Sequence, residues 1–139
     1  MTESMTEKTE ERIAMSKEML THLEGKSVYL SGPMTGIKKW NSASFSEAEK
    51  LVKSCGATSV YNPCAYAEAM SGFSHEMCLR ISISTLCATW MRAPAKDTLG
   101  VYDVLVSLPG FGQSAGARLE REVAEACGIE VCDIKDAIA

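Results

Sequence analysis

An alternation constrains this chain more than any other feature: short apolar, β-rich runs separated by longer segments whose apolar residues recur at helical spacing. Ser27-Val-Tyr-Leu-Ser31 reads as a first buried strand running into a Gly-containing loop, Gly32-Pro-Met-Thr-Gly36. Phe45, Ala48, Leu51, Val52 and Cys55 recur every three or four residues, which predicts a helix over Ser42–Ser54 stopped at Gly56. Ser59–Tyr61 follows as a second strand closed by Asn62-Pro63. A helix is then expected over Ser74–Trp90, with Leu79, Ile83, Leu86 and Trp90 on one side. Val101–Leu108 reads as the third strand, Ser114–Cys127 as a helix with Gly128 just beyond it, and Ile129–Cys132 as a last short strand. Ahead of all these, Ile13, Met19, Leu20 and Leu23 ride among charges and suggest an amphipathic leading helix over Glu10–Glu24. Strands alternating with helices imply βαβ units and an α/β fold with a mostly parallel sheet of four to five strands.

At 139 residues the chain suits one domain, read here as residues 9–139 behind a flexible stretch over residues 1–8. The net charge of -4 and the scattered Lys and Arg residues leave no basic stripe for a nucleic-acid polymer. A small anion remains compatible, because backbone amides hold phosphate without clustered cations. Cys55, Cys64, Cys78, Cys87, Cys127 and Cys132 form no CxxC pair, and His22 and His75 stand in no metal-ligand spacing. They read as reduced, structural thiols, the usual case in a cytoplasmic protein. The charged first 24 residues do not resemble a signal peptide, and no apolar run is long enough to span a bilayer. No metal or tightly held cofactor is expected.

In open parallel sheets, ligands bind beyond the carboxyl ends of the strands. Three segments answer to that place: Ser31–Gly36, Asn62-Pro63 and Pro109–Gly116. On a helical wheel of the last helix, Arg118, Arg121, Glu122 and Glu125 share a solvated face, with Leu119, Val123 and Cys127 opposite. Glu120 falls among the apolar and small residues, where an unpaired carboxylate would be expensive. Either it pairs with an Arg or caps a backbone, or it serves a pocket as nucleophile or general base. Ser114 suits the N-cap, and with the amides of Ala115 and Gly116 it also makes an anion site. Asp103, inside an apolar strand, reads as a residue that orders the fold, and Lys96 and Asp97 read as solvated loop charges.

Taken in order, Tyr29-Leu-Ser-Gly-Pro-Met-Thr-Gly36, Asn41, Phe45, Asn62-Pro63, Asp103-Val-Leu-Val-Ser-Leu-Pro-Gly110 and Ser114-Ala-Gly-Ala-Arg-Leu-Glu120 resemble the nucleoside 2-deoxyribosyltransferase-like family. The likeness runs from about Val28 to Val131 and is closest to a small, largely uncharacterised branch common in phage and bacterial genomes. It implies a flavodoxin-like, Rossmann-like three-layer fold, and cleavage or exchange of the N-glycosidic bond of 2′-deoxynucleosides or their 5′-monophosphates. Glu120 matches the glutamate that attacks the anomeric carbon. Ser114 matches a serine that contacts phosphate in the hydrolase branch, where the transferases carry an aspartate. Ser31, Gly32, Met34, Gly36, Asn41, Asn62 and Gly116 would line the substrate. The resemblance also implies a homo-oligomer whose pocket a neighbouring subunit completes.

One position departs from that family. Its usual aspartate, eight residues before the one that opens the third strand, assists the leaving base. Counting back from Asp103 reaches Ala95, within what reads as an inserted loop. With the insert removed, Ser82 takes the position, and Asp97 substitutes only if the Pro94–Gly100 loop folds inward. Two other readings therefore stand beside the glycosidic one: a catalytically impaired module that senses a nucleotide, and a hydrolase of another ribosyl compound, NAD- or ADP-ribose-like.

Overall fold

The computed structural model describes residues 23–90 and 99–134. The leading helix expected over Glu10–Glu24 therefore lies almost wholly outside the described residues, as do Lys96 and Asp97.

Four strands form one parallel sheet: β1 (Ser27–Ser31), β2 (Ser59–Tyr61), β5 (Val104–Ser107) and β6 (Glu130–Asp133), in the order β2-β1-β5-β6. Each crossover carries a helix: α1 (Ser42–Ser54) between β1 and β2, α2 (His75–Leu86) between β2 and β5, and α3 (Ala115–Ala126) between β5 and β6. The order is that of flavodoxin-like sheets, with β1 at the point where the winding reverses. No helix among the described residues is long and apolar enough to cross a membrane.

The pleat sorts the side chains of β1 and β5 between two cores, because alternate residues face opposite sides of a sheet. Val28, Leu30, Val104 and Val106 pack with Phe45, Ala48 and Val52 of α1. Tyr29 and Leu105 face the other way and pack with Leu86 of α2 and Ala124 of α3. The result is three layers, one helix on one face and two on the other. β1 and β5 are buried along nearly their whole length, which is why they read as continuous apolar runs.

Two of the expected elements differ. The helix that starts at the Ser74 N-cap ends at Leu86, four residues short of the expected end. Thr89–Trp90 (β3) instead pairs antiparallel with Leu99–Gly100 (β4), and Val101 N–H donates to the Ala88 carbonyl at 2.9 Å. A β-branched residue beside an aromatic one favours extended over helical backbone, and the helical spacing of Trp90 had hidden this. The third strand accordingly begins at Val104, not Val101, and Asp103 precedes it.

Candidate functional site at the switch point

Ser31 and Ser107 are register partners at the carboxyl ends of β1 and β5. Beyond them the two chains diverge, toward α1 on one face and α3 on the other, and open a crevice. The loops meet closely there. A Cβ on Gly32 would lie 2.8 Å from Leu108 Cβ, so this position takes glycine by close approach.

Glu120 sits in the second turn of α3, buried, with its carboxylate aimed at β1. The Tyr29 hydroxyl donates to Glu120 Oε2, and Ser31 Oγ donates to Glu120 Oε1 at 3.0 Å. Tyr29 and Ser31 are two residues apart on one strand, so the pleat delivers both hydroxyls to the same face. Neither of the bland expectations for Glu120 describes it: its partners are two hydroxyls, not an arginine or a backbone amide. The arginine next to it, Arg121, donates to Ser107 Oγ, lies over the Phe111 ring and approaches Glu125.

Burial pushes the Glu120 carboxyl up from the ordinary carboxylate range to about 7, while the hydrogen bonds from Tyr29 and Ser31 pull against that rise. The Tyr29 phenol is driven far above its ordinary value, by burial first and then by the Glu120 charge, so it stays protonated. Its oxygen also lies 3.3 Å from the Ser82 carbonyl of α2. A phenol carries one hydrogen. When Glu120 is ionised, that hydrogen serves the carboxylate; when Glu120 holds a proton, Tyr29 can accept it and turn its own hydrogen to Ser82.

Glu120 opens into a cavity of about 400 Å³ lined by the Gly32–Thr35 loop, the start of α3 from Gln113 to Ala117, and one face of α2. Ser114 caps α3, its Oγ accepting from Ala117 N–H at 3.2 Å. Ala115 and Gly116 contribute first-turn amides, which precede the intrahelical ladder and favour an anion. A second cavity of about 420 Å³ adjoins the first, with the apolar side chains of Ile37, Met70 and Phe73 and the rings of Trp40 and Tyr61 in its walls. Met34, Thr35, His75, Cys78 and Ser82 line both.

The rim near Trp40 is strained. Lys39, Trp40 and Asn41 take φ of 50, 55 and 65, left-handed backbone that side chains other than asparagine rarely adopt. The Asn41 amide braces the turn by donating to the Pro33 carbonyl at 3.1 Å.

The structure thus gathers Glu120, Ser31, Gly32, Met34, Gly36, Ser82, Ser114 and Gly116 around one groove, with Asn41 supporting its loop. Asn62 is not brought there. It donates to Glu49 Oε1 at 3.0 Å and lines a separate depression of about 260 Å³ along β2. Asp103 lies at the opposite, amino-terminal end of the strands, exposed, where it accepts from Ser27 N–H at 2.9 Å. Asp97 falls outside the described residues.

The α3 wheel also needs correction. The buried stripe is Ala117, Glu120 and Ala124, small residues that let the helix approach the sheet, while Leu119 is 38% exposed and Cys127 is exposed. Leu119 stands roughly 200° from Ala117 around the helix. Arg121, expected among the solvated charges, is half-buried at the edge of the stripe. No disulfide joins any of the six cysteines, and Cys127 is exposed, not a core residue.

Residue reading missed Tyr29, Thr35, His75 and Cys78 as site residues. Two signals were available: the paired hydroxyls of Tyr29 and Ser31 on one strand face, and the i, i+3, i+4, i+7 row His75, Cys78, Leu79, Ser82 on α2.

A family model described as a domain of unknown function (DUF4406) matches residues 26–133. Neither the curated proteins nor the solved structures contain a significant match to the chain.

Proposed function

The chain belongs to the DUF4406 family, a domain of unknown function, and we propose for it the cleavage or transfer of an N-glycosidic bond in a 2′-deoxynucleoside or its 5′-monophosphate. The observation that carries this reading is Glu120: a buried carboxylate held by two hydroxyls and opening into a cavity beside a helix N-terminus.

Glycosidic cleavage builds positive charge at the anomeric carbon, and a carboxylate positioned below that carbon stabilises the charge or forms a covalent ester with it. The ionised form of Glu120 does this work. With its carboxyl raised to about 7, the group is ionised in a large fraction of molecules at neutral pH and is a stronger nucleophile than an ordinary carboxylate. Tyr29 and Ser31 fix both oxygens, so the attack geometry is set before substrate arrives. The amides at the start of α3 suit a 5′-phosphate, and the apolar second cavity suits a planar base. Water, or a second base, then resolves the intermediate. The resemblance of the Ser31–Gly36 and Ser114–Glu120 segments to nucleoside 2-deoxyribosyltransferase-like proteins points the same way.

One feature of the sequence favours a nucleotide-sensing module instead. With the insert before Asp103 set aside, Ser82 stands at the position of that family's leaving-group acid, and a serine is not an acid. Free-base release from a panel of nucleosides and 5′-monophosphates, measured for wild type and Glu120→Gln, separates the two readings. Release that depends on Glu120 supports the glycosidic reading. Thermal stabilisation by a nucleotide without release supports the sensor and refutes turnover.

A further inference from the structure

We infer that His75 is the acid that protonates the departing base, an assignment that rests on the glycosidic reading of Glu120. A nucleoside with its sugar against Glu120 and its base in the apolar cavity has its glycosidic bond at the boundary between the two cavities. The residues common to both define that boundary: Met34, Thr35, His75, Cys78 and Ser82. His75 is the one that carries an imidazole, a side chain suited to general-acid chemistry. Threonine and serine hydroxyls do not act as acids there, and a thiol is a weak donor.

The backbone explains why the imidazole is at that place. Ser74 caps α2, its Oγ accepting from Met77 N–H at 3.1 Å, and His75 is the first residue of the helix. Spacings of three, four and seven residues carry the same face through Cys78, Leu79 and Ser82 toward Tyr29. The imidazole therefore stands at the mouth of the groove, exposed to water from which it can be reprotonated, while Ser82 lies two turns deeper. The other titratable groups that line the two cavities are Glu120 and Tyr61, opposite it, and Cys78 on its own helix. Of these, Glu120 is committed to the anomeric carbon, and the Tyr61 phenol is pushed up to about 12 by burial, with the neighbouring Tyr102, Tyr66 and Glu120 charges adding to the rise.

The step balances without a co-reactant other than water. Glu120 forms a C–O bond to the anomeric carbon as the C–N bond breaks. The C–N electron pair goes to the base nitrogen, and the imidazolium proton goes to the departing base. Water then displaces the carboxylate and gives its proton to the neutral imidazole, restoring both groups.

A leaving-group comparison tests the assignment. For a base that wild type releases, the unmodified 5′-monophosphate is measured beside an activated partner, an N7-methylated purine or a 5-fluorinated pyrimidine, which departs with less help from an acid. For His75→Gln, release of the unmodified base should fall about a hundredfold or more, with release from the activated partner far less affected. Glu120→Gln should lose both. Equal losses on the two substrates, or no loss on either, overturn the role of His75 while leaving Glu120 in place. A wild type that releases base from no substrate overturns the glycosidic reading itself, and His75 with it.

Discussion

Glu120 should make this protein less stable as pH rises, and substituting it should remove that dependence. In the unfolded chain the carboxyl has its ordinary value of 4.5; in the fold it lies at about 7. Between those values the native state keeps a proton that the unfolded chain has lost. Stability therefore declines as pH climbs through this window and levels off above it. The difference between the two values corresponds to about 3 kcal/mol once Glu120 is fully ionised. Part of the desolvation is already offset by Tyr29 and Ser31, so this is the net penalty.

Glu120→Gln keeps the shape and both hydroxyl partners but cannot ionise. All other titrating groups are common to the two proteins and cancel in the comparison. At pH 4.5 wild type and variant should differ by a constant set by their hydrogen bonds. By pH 8.5 the variant should have gained about 3 kcal/mol relative to that constant, or roughly 10 °C in Tm for a chain of this size. Thermal or urea melts of both proteins at half-unit steps of pH would measure it. Curves that stay parallel across the range would refute the argument, because a carboxylate that is not held in a desolvated site has no such penalty to shed.

Four further outcomes follow from the same geometry. Under the glycosidic reading, base release should rise with pH from 5 to about 7 as Glu120 ionises; a pH–rate profile flat over that range would contradict it. Tyr29→Phe removes a hydrogen bond that lowers the Glu120 carboxyl, so the rising limb should move to higher pH, read in the same assay. Ser114→Ala should cost about 1 kcal/mol of stability through the lost cap and raise KM for 5′-monophosphates more than for nucleosides. Lys39→Gly should stabilise the protein by about 1 kcal/mol, measured by denaturant melts, since glycine adopts the left-handed backbone there without a Cβ clash.

The strands and helices with clear punctuation were legible from the residues alone. α1 spans Ser42–Ser54 and β2 spans Ser59–Tyr61, as spacing and the Gly56 and Asn62-Pro63 stops indicate. The failures came where local pattern met tertiary structure. Trp90 continues the helical phase of Leu79, Ile83 and Leu86, yet it pairs with Leu99 in a ladder that no single segment announces. Leu119 looked like a core residue by hydropathy, but α3 approaches the sheet through alanines, a choice visible only once the sheet is placed. Asn62 stood at the right end of the right strand, and its side chain turned to Glu49. In the site, the helical wheel singled out Glu120, and the carboxyl end of the first strand singled out Ser31, each separately. Nothing in one dimension joined two positions 89 residues apart.

That join depends on a property of β1 that ties the core to the chemistry. Val28 and Leu30 are fully buried against α1, and Tyr29 and Ser31 alternate with them toward α3. A one-residue slip of β1 would carry the two hydroxyls into the apolar core and leave Glu120 facing valine and leucine. Both sides of the strand thus forbid the slip: one loses packing, the other strands a carboxylate and two hydroxyls without partners. The buried polar triad is costly to stability above pH 7, yet it helps to fix the register that places the groove at the switch point. Hydroxyls on one pleat phase, apolar side chains on the other, and a glutamate on the facing helix are then one constraint, which any substitution in β1 must satisfy on both faces at once.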